Sequence, residues 1–146
     1  MVNNRTRLSL DGQWQFWTDP DDSLDTASLL AASASQVHVP APWQSQSSKL
    51  ISYTGVAWYQ RTLEIPIDWI GSGRILLGID ASDYKTEVWF NGMKVGEHEG
   101  GYLPFESDVT LAAFAGENTL TIRVDDPPAI FPEVPHGKQG WYGPLS

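Results

Sequence analysis

Apolar and polar residues alternate at every second position through much of the chain, and helical spacing is scarce. From Tyr84 to Glu99 the sequence reads YKTEVWFNGMKVGEHE, where Asn91 and Gly92 can both take positive φ and so predict a two-residue hairpin turn. That register sets Phe90 opposite Met93 and Val88 opposite Val95 on a buried face, with Trp89 opposite Lys94 on the other. A slip of one residue would turn the apolar set to solvent. The same alternation predicts strands over residues 10–17, 37–40, 56–65, 74–79 and 119–125. In the last two, Ile75, Leu77, Ile79 and Leu120, Ile122, Val124 mark sheets buried on one side. Residues 25–32 fit a short helix or a loop, and no internal repeat is visible.

Short strands, frequent turns and one weak helix predict an all-β fold: a jelly-roll β-sandwich of two antiparallel sheets. The tail breaks the pattern, since residues 126–146 are rich in Pro and Gly and predict an irregular strap over the sandwich. At 146 residues the whole chain is expected to be one domain. A (β/α)₈ barrel, at about 250 residues, does not fit.

With 18 acidic against 9 basic residues and a net charge of -9, the chain lacks the clustered cations that nucleic acid or an anionic membrane requires. A neutral or cationic ligand suits it better. Zero cysteines exclude a disulfide framework, a thiolate zinc site and a cysteine nucleophile. With no apolar leader and no bilayer-length apolar run, the chain reads as soluble and cytoplasmic, away from the membrane.

Glycoside hydrolysis needs two carboxylates about 5 to 9.5 Å apart. In the unbroken hairpin register Glu87 faces Gly96, which leaves Glu97 on the other side of the ribbon, and Asp125 and Asp126 point apart along a strand. No acid pair is therefore expected to share a cleft. His38, His98 and His136 are scattered, so no metal site and no cofactor are expected. Asp19, Asp21 and Asp22 resemble the start of a calcium loop, but Leu24 and Leu30 stand where Gly and Glu are needed; a structural cation on the loops stays open. Arg61 shares a face with Tyr59, Leu63 and Ile65, which predicts a buried guanidinium paired with a carboxylate, the alternative being an edge strand from which Arg61 reaches solvent. Aromatic rings can stack on the C–H face of a sugar while acids and amides take its hydroxyls. Asp125, Asp126, Trp141 and Tyr142 are the candidate carbohydrate-binding residues, the last two because Gly and Pro neighbours place them in a surface segment.

Several blocks together carry a resemblance. LSLDGQWQF, VPAPWQ, GVAWYQRTLEIP, VWFNGMKVGEHEGGYLPFESDVT, NTLTIRVDD and PHGKQGWYGPLS, in that order from Leu8 to Ser146, resemble the N-terminal sugar-binding domain of family 2 glycoside hydrolases, the β-galactosidase, β-glucuronidase and β-mannosidase group. The resemblance implies a galactose-binding-domain-like jelly roll that precedes an immunoglobulin-like domain and a catalytic barrel, with the acid and nucleophile glutamates on the barrel. No glutamate of this chain matches those motifs, so the resemblance carries over no catalytic residue.

It also implies a closing strand after the WYGP segment, where this sequence stops. Either an excised piece of a larger hydrolase or a frame without its catalytic half fits. An unclosed sandwich edge would favour self-association. The leading expectation is a noncatalytic carbohydrate-recognition domain partnered by a catalytic barrel. A purely structural domain, packed on the barrel or at a subunit interface without binding free sugar, is the alternative. An active jelly-roll glycosidase would require a carboxylate pair in a groove.

Overall fold

The computed structural model describes residues 7–39, 53–79, 84–100 and 104–126. Eight strands lie within them: β1 Gly12–Asp19, β2 Ser35–Val39, β3 Gly55–Ile65, β4 Leu76–Ile79, β5 Lys85–Phe90, β6 Met93–Glu99, β7 Phe105–Asp108 and β8 Gly116–Asp126. The segment predicted as helix or loop at 25–32 forms a single 3-10 turn, Ser28–Ala31, around buried Leu29. β7, four residues long, is absent from the strands that the alternation predicts. Trp141, Tyr142 and the strap beyond Asp126 lie outside the described residues.

Among the described residues all pairing is antiparallel, in a six-stranded sheet of order β2-β1-β3-β8-β5-β6 and a two-stranded sheet β4-β7. This is the two-sheet all-β architecture that the alternation predicts. The inner face of the large sheet contributes Phe16, Tyr59, Val88, Phe90, Leu120, Ile122 and Val124, which pack with Ile75, Leu77 and Ile79. Burying each large apolar side chain contributes about 1.5–3 kcal/mol. Tyr59 organises this layer, with Phe16 edge-on at 5.1 Å and Trp14 edge-on at 6.4 Å between ring centres.

The β5–β6 hairpin forms on Asn91 and Gly92, at φ 52° and 81°, as predicted. Its register departs from the prediction beyond the second pair. Phe90 faces Met93 and Trp89 faces Lys94, but a bulge then places Val88 opposite Gly96 and Glu87 opposite Glu97. β7 crowds this place: a Cβ on Gly96 would collide with the Ser107 side chain, so glycine suits the inward position where the sheets approach. Val95 is displaced by one place and only half-buried, and Met93, expected in the core, is 52% exposed.

Arg61 is a second correction. It is half-buried on the predicted face, but its described partners are backbone carbonyls. Its Nη1 donates to Leu10 O at 2.8 Å and its Nε to Thr62 O at 3.2 Å, while the guanidinium lies 5.8 Å from the Trp14 ring centre. The segment that leads into β1 supplies the oxygens a carboxylate was expected to supply.

Candidate functional site

Strand alternation gives the large sheet a second, outer face, and the registers align it in rows. One row runs Trp17, Trp58, Arg123, Glu87, Glu97 across β1, β3, β8, β5 and β6. The next runs Gln15, Gln60, Thr121, Trp89, Lys94. Trp17 and Trp58 are buried beneath Leu24 and Leu29 of the β1–β2 connection. Their indole N–H groups donate to Ala32 O at 3.1 Å and Asp19 Oδ2 at 3.0 Å. Trp89 is different: it is half-buried, tilted by 31° against Trp58 at 5.4 Å, and carries Lys94 Nζ 5.9 Å from its ring centre. Of these three rings, it is the one a ligand can reach.

Beside the rings runs a ladder of opposite charges. Arg123 donates from Nη1 to Glu87 Oε1 and from Nη2 to Asp22 Oδ1, both at 3.0 Å. Glu87 Oε2 accepts from Lys94 Nζ at 3.0 Å, and Lys94 also reaches Glu97 Oε2 at 3.1 Å. The hydrogen bonds to Glu87 and Glu97 push the Lys94 ammonium up, and in return Lys94 holds the Glu97 carboxyl below its ordinary value. The bulge thus brings the two glutamates face to face, against the sequence expectation, but as a shared clamp on one lysine. A carboxyl held below its ordinary value is poorly suited to deliver a proton near neutral pH.

Asp19 anchors the connection that frames this face. It is 2% exposed and accepts from Ser23 N at 2.8 Å, Leu24 N at 3.0 Å and Trp58 Nε1. Burial raises its pKa, but those donors outweigh burial and hold the carboxyl below its ordinary value. Asp19 is therefore a loop cap, and Asp22 is an ion-pair partner of Arg123. Among the described residues no three metal-binding side chains converge.

Asp22, Leu24, Trp58, Lys85, Glu87, Trp89, Arg123 and Asp125 line a shallow recess of about 490 Å³. Asp125, a candidate sugar contact from the sequence, lines this recess, with Lys85 as its cross-strand neighbour. Asp126, one residue on, is 1% exposed and turns to the inner side, so the two acids do not share the recess. From the sequence, Asp22 stands only as part of a calcium loop, Glu87 only as half of an acid pair and Trp89 as a hairpin residue, and Arg123 is not singled out. Period two shows Arg123 and Asp125 on one face, but only the β8–β5 pairing brings Glu87 and Trp89 beside them. A larger opening of about 720 Å³ is the mouth between the sheets, walled by core residues such as Ile65, Ile75, Leu77 and Phe90. No described helix is long and apolar enough to cross a membrane.

Comparison with known proteins adds a family. Residues 8–129 match the family model described as glycosyl hydrolases family 2, sugar binding domain. A β-glucuronidase of Paenibacillus borealis is 35% identical over 131 residues, covering 80% of this chain and 20% of that protein. The dog β-glucuronidase is 33% identical over 126 residues, covering 77% and 19%. Among solved structures, a Bifidobacterium dentium β-glucuronidase complexed with coumarin-3-O-glucuronide superposes with a TM-score of 0.71 at 36% identity, covering 80% of this chain and 19% of that one. The chain spans about a fifth of the length of these relatives.

Proposed function

Because the chain belongs to family 2 of the glycosyl hydrolases, as its sugar-binding domain, we propose that it is a noncatalytic carbohydrate-recognition module of a glycosidase acting on glucuronides. The observation that carries this reading is the recess on the outer face, where the reachable Trp89 ring lies beside Asp125, Lys85 and the Asp22–Arg123 pair. A ring of that kind offers a platform for the C–H face of a pyranose, and the flanking groups suit its hydroxyls. Asp125 contacts the sugar; Trp141 and Tyr142 supply further rings; Asp126 supports the end of β8 from within. Hydrolysis of the O-glycosyl bond belongs to a separate catalytic barrel. The Glu87–Lys94–Glu97 clamp supports that division, since it leaves neither acid free.

The test is a titration of the chain with pyranose sugars followed by calorimetry. Trp89→Ala should abolish binding, and Trp89→Phe should retain part of it. Unchanged affinity in Trp89→Ala would remove the recess from the reading.

A structural role is favoured by a different observation. Ile67 and Phe114 are 78% and 63% exposed on the connections that flank the Ile65–Gly116 pair, and Leu111 on the β7–β8 connection is 94% exposed. These apolar groups suit packing against another domain. If no sugar binds and Phe114→Ser weakens association with a catalytic barrel supplied in trans, that role is the one performed.

A further inference from the structure

We propose that the Asp22–Arg123 contact marks an exchangeable carboxylate position, and that the recess takes an acidic sugar whose carboxylate displaces Asp22 from Arg123 Nη2. This rests on the sugar-binding reading above and adds the atom that reads the ligand's charge and the side chain it displaces.

The two edges of the Arg123 guanidinium are held unequally. Its side chain is 11% exposed, and Nη1 faces Glu87, itself only 18% exposed and tied to Lys94. That side is a permanent part of the sheet. Nη2 faces Asp22, which is 59% exposed and belongs to the β1–β2 connection. An ion pair with one partner so open contributes little net stability. Asp22 also has φ 50°, in the left-handed region that Asp and Asn enter more readily than other residues with a side chain. A partly buried guanidinium still requires an acceptor on that edge, because an unsatisfied one is expensive. The position therefore demands a carboxylate but holds its own weakly.

Exchange also answers the charge problem. A chain of net charge -9 repels an added anion. If the incoming carboxylate replaces that of Asp22, the guanidinium keeps one partner on each edge, and Asp22 moves out into water. A neutral sugar offers Nη2 only a hydroxyl and cannot replace Asp22 in this way. No bond is made or broken, and Trp89 on the same recess is placed to receive the ring.

The experiment titrates the full chain with D-glucuronate, D-glucose and acetate, in wild type, Asp22→Asn and Asp21→Asn. Asparagine tolerates the left-handed backbone at position 22, so that variant should fold. Wild type should bind glucuronate more tightly than glucose, and acetate more weakly than glucuronate. Asp22→Asn should raise the preference for glucuronate over glucose by about two- to five-fold, the worth of an exposed ion pair. Asp21→Asn removes the same charge from the adjacent position and should have no such effect. An equal rise in both variants would reduce the effect to the general field and overturn the proposal. So would an unchanged or lower preference in Asp22→Asn. Acetate binding as tight as glucuronate would leave an anion position without a sugar. Glucose binding with no preference for glucuronate would sink this inference alone, whereas no binding of either sugar to any variant would sink the sugar-binding reading with it.

Discussion

At the scale of single residues, polar atoms below the surface govern the geometry of the outer face. Asp19 gathers donors from Ser23, Leu24 and Trp58, and through them fixes both the turn after β1 and the plane of the Trp58 ring. An amide at this position presents one acceptor oxygen and turns an N–H₂ group toward a donor. Asp19→Asn should therefore lower stability by about 1–3 kcal/mol at neutral pH. The folded carboxyl has a depressed pKa, so its contribution is complete above the unfolded value near 3.9 and is lost as pH falls through the folded value. Denaturant midpoints measured from pH 6 down to pH 2 should show wild type losing its advantage over Asp19→Asn in the acid limb. A constant difference across that range would remove the ionised carboxylate from the explanation.

At the scale of elements, the β5–β6 hairpin is shaped by a strand it does not pair with. Asn91 sets the turn and also joins the ends of the sandwich: its Oδ1 accepts from Thr119 N at 2.8 Å, and its Nδ2 donates to Ala112 O at 2.7 Å and Asn118 Oδ1 at 2.8 Å. Past the turn, the tight approach of Ser107 selects Gly96 for the inward position and leaves Val95 as the extra residue. Gly96→Ala should cost about 1–3 kcal/mol through overpacking. Ser107→Gly should recover part of that loss, and a double-mutant cycle read from denaturant midpoints measures the coupling. Purely additive losses would mean that the two sheets do not meet there. The bulge also has an outward consequence, since it places Glu97 across from Glu87 and completes the clamp on Lys94.

At the scale of the whole molecule, the edges of the large sheet are protected unequally. Among the described residues β2 and β6 are the edge strands. β6 carries Lys94, Glu97 and Glu99 and pairs through a bulge, features that discourage pairing with another chain. β2 reads SQVHV, with neither a carboxylate, a lysine, an arginine nor a proline. Self-association through an open edge should therefore run through β2 and should grow as salt screens the net charge of -9, with a Debye length of about 8 Å at physiological ionic strength. Sedimentation at low and high salt checks this, and Gln36→Lys, on an exposed β2 position, should suppress it. A strict monomer at every salt concentration would refute it.

Alternation alone determined that the chain is all-β, which side chains of β3, β5 and β8 turn inward, and where the Asn91–Gly92 turn falls. These are decided within a few residues, because successive side chains of a strand point to opposite faces whatever it pairs with. The ordered blocks from Leu8 onward likewise pointed to the family that residues 8–129 match. Pairing between distant strands decided the rest. Trp58, Arg123 and Glu87 come from three strands far apart in sequence, and no local pattern says that β8 lies between β3 and β5. The register beyond Trp89 answered to Ser107 on the opposite sheet, and the partners of Arg61 answered to the carbonyls of Leu10 and Asp11. Local chemistry fixes what a residue can offer, whereas packing between separate strands fixes what it meets. For that reason the recess became visible only when the strands were assembled.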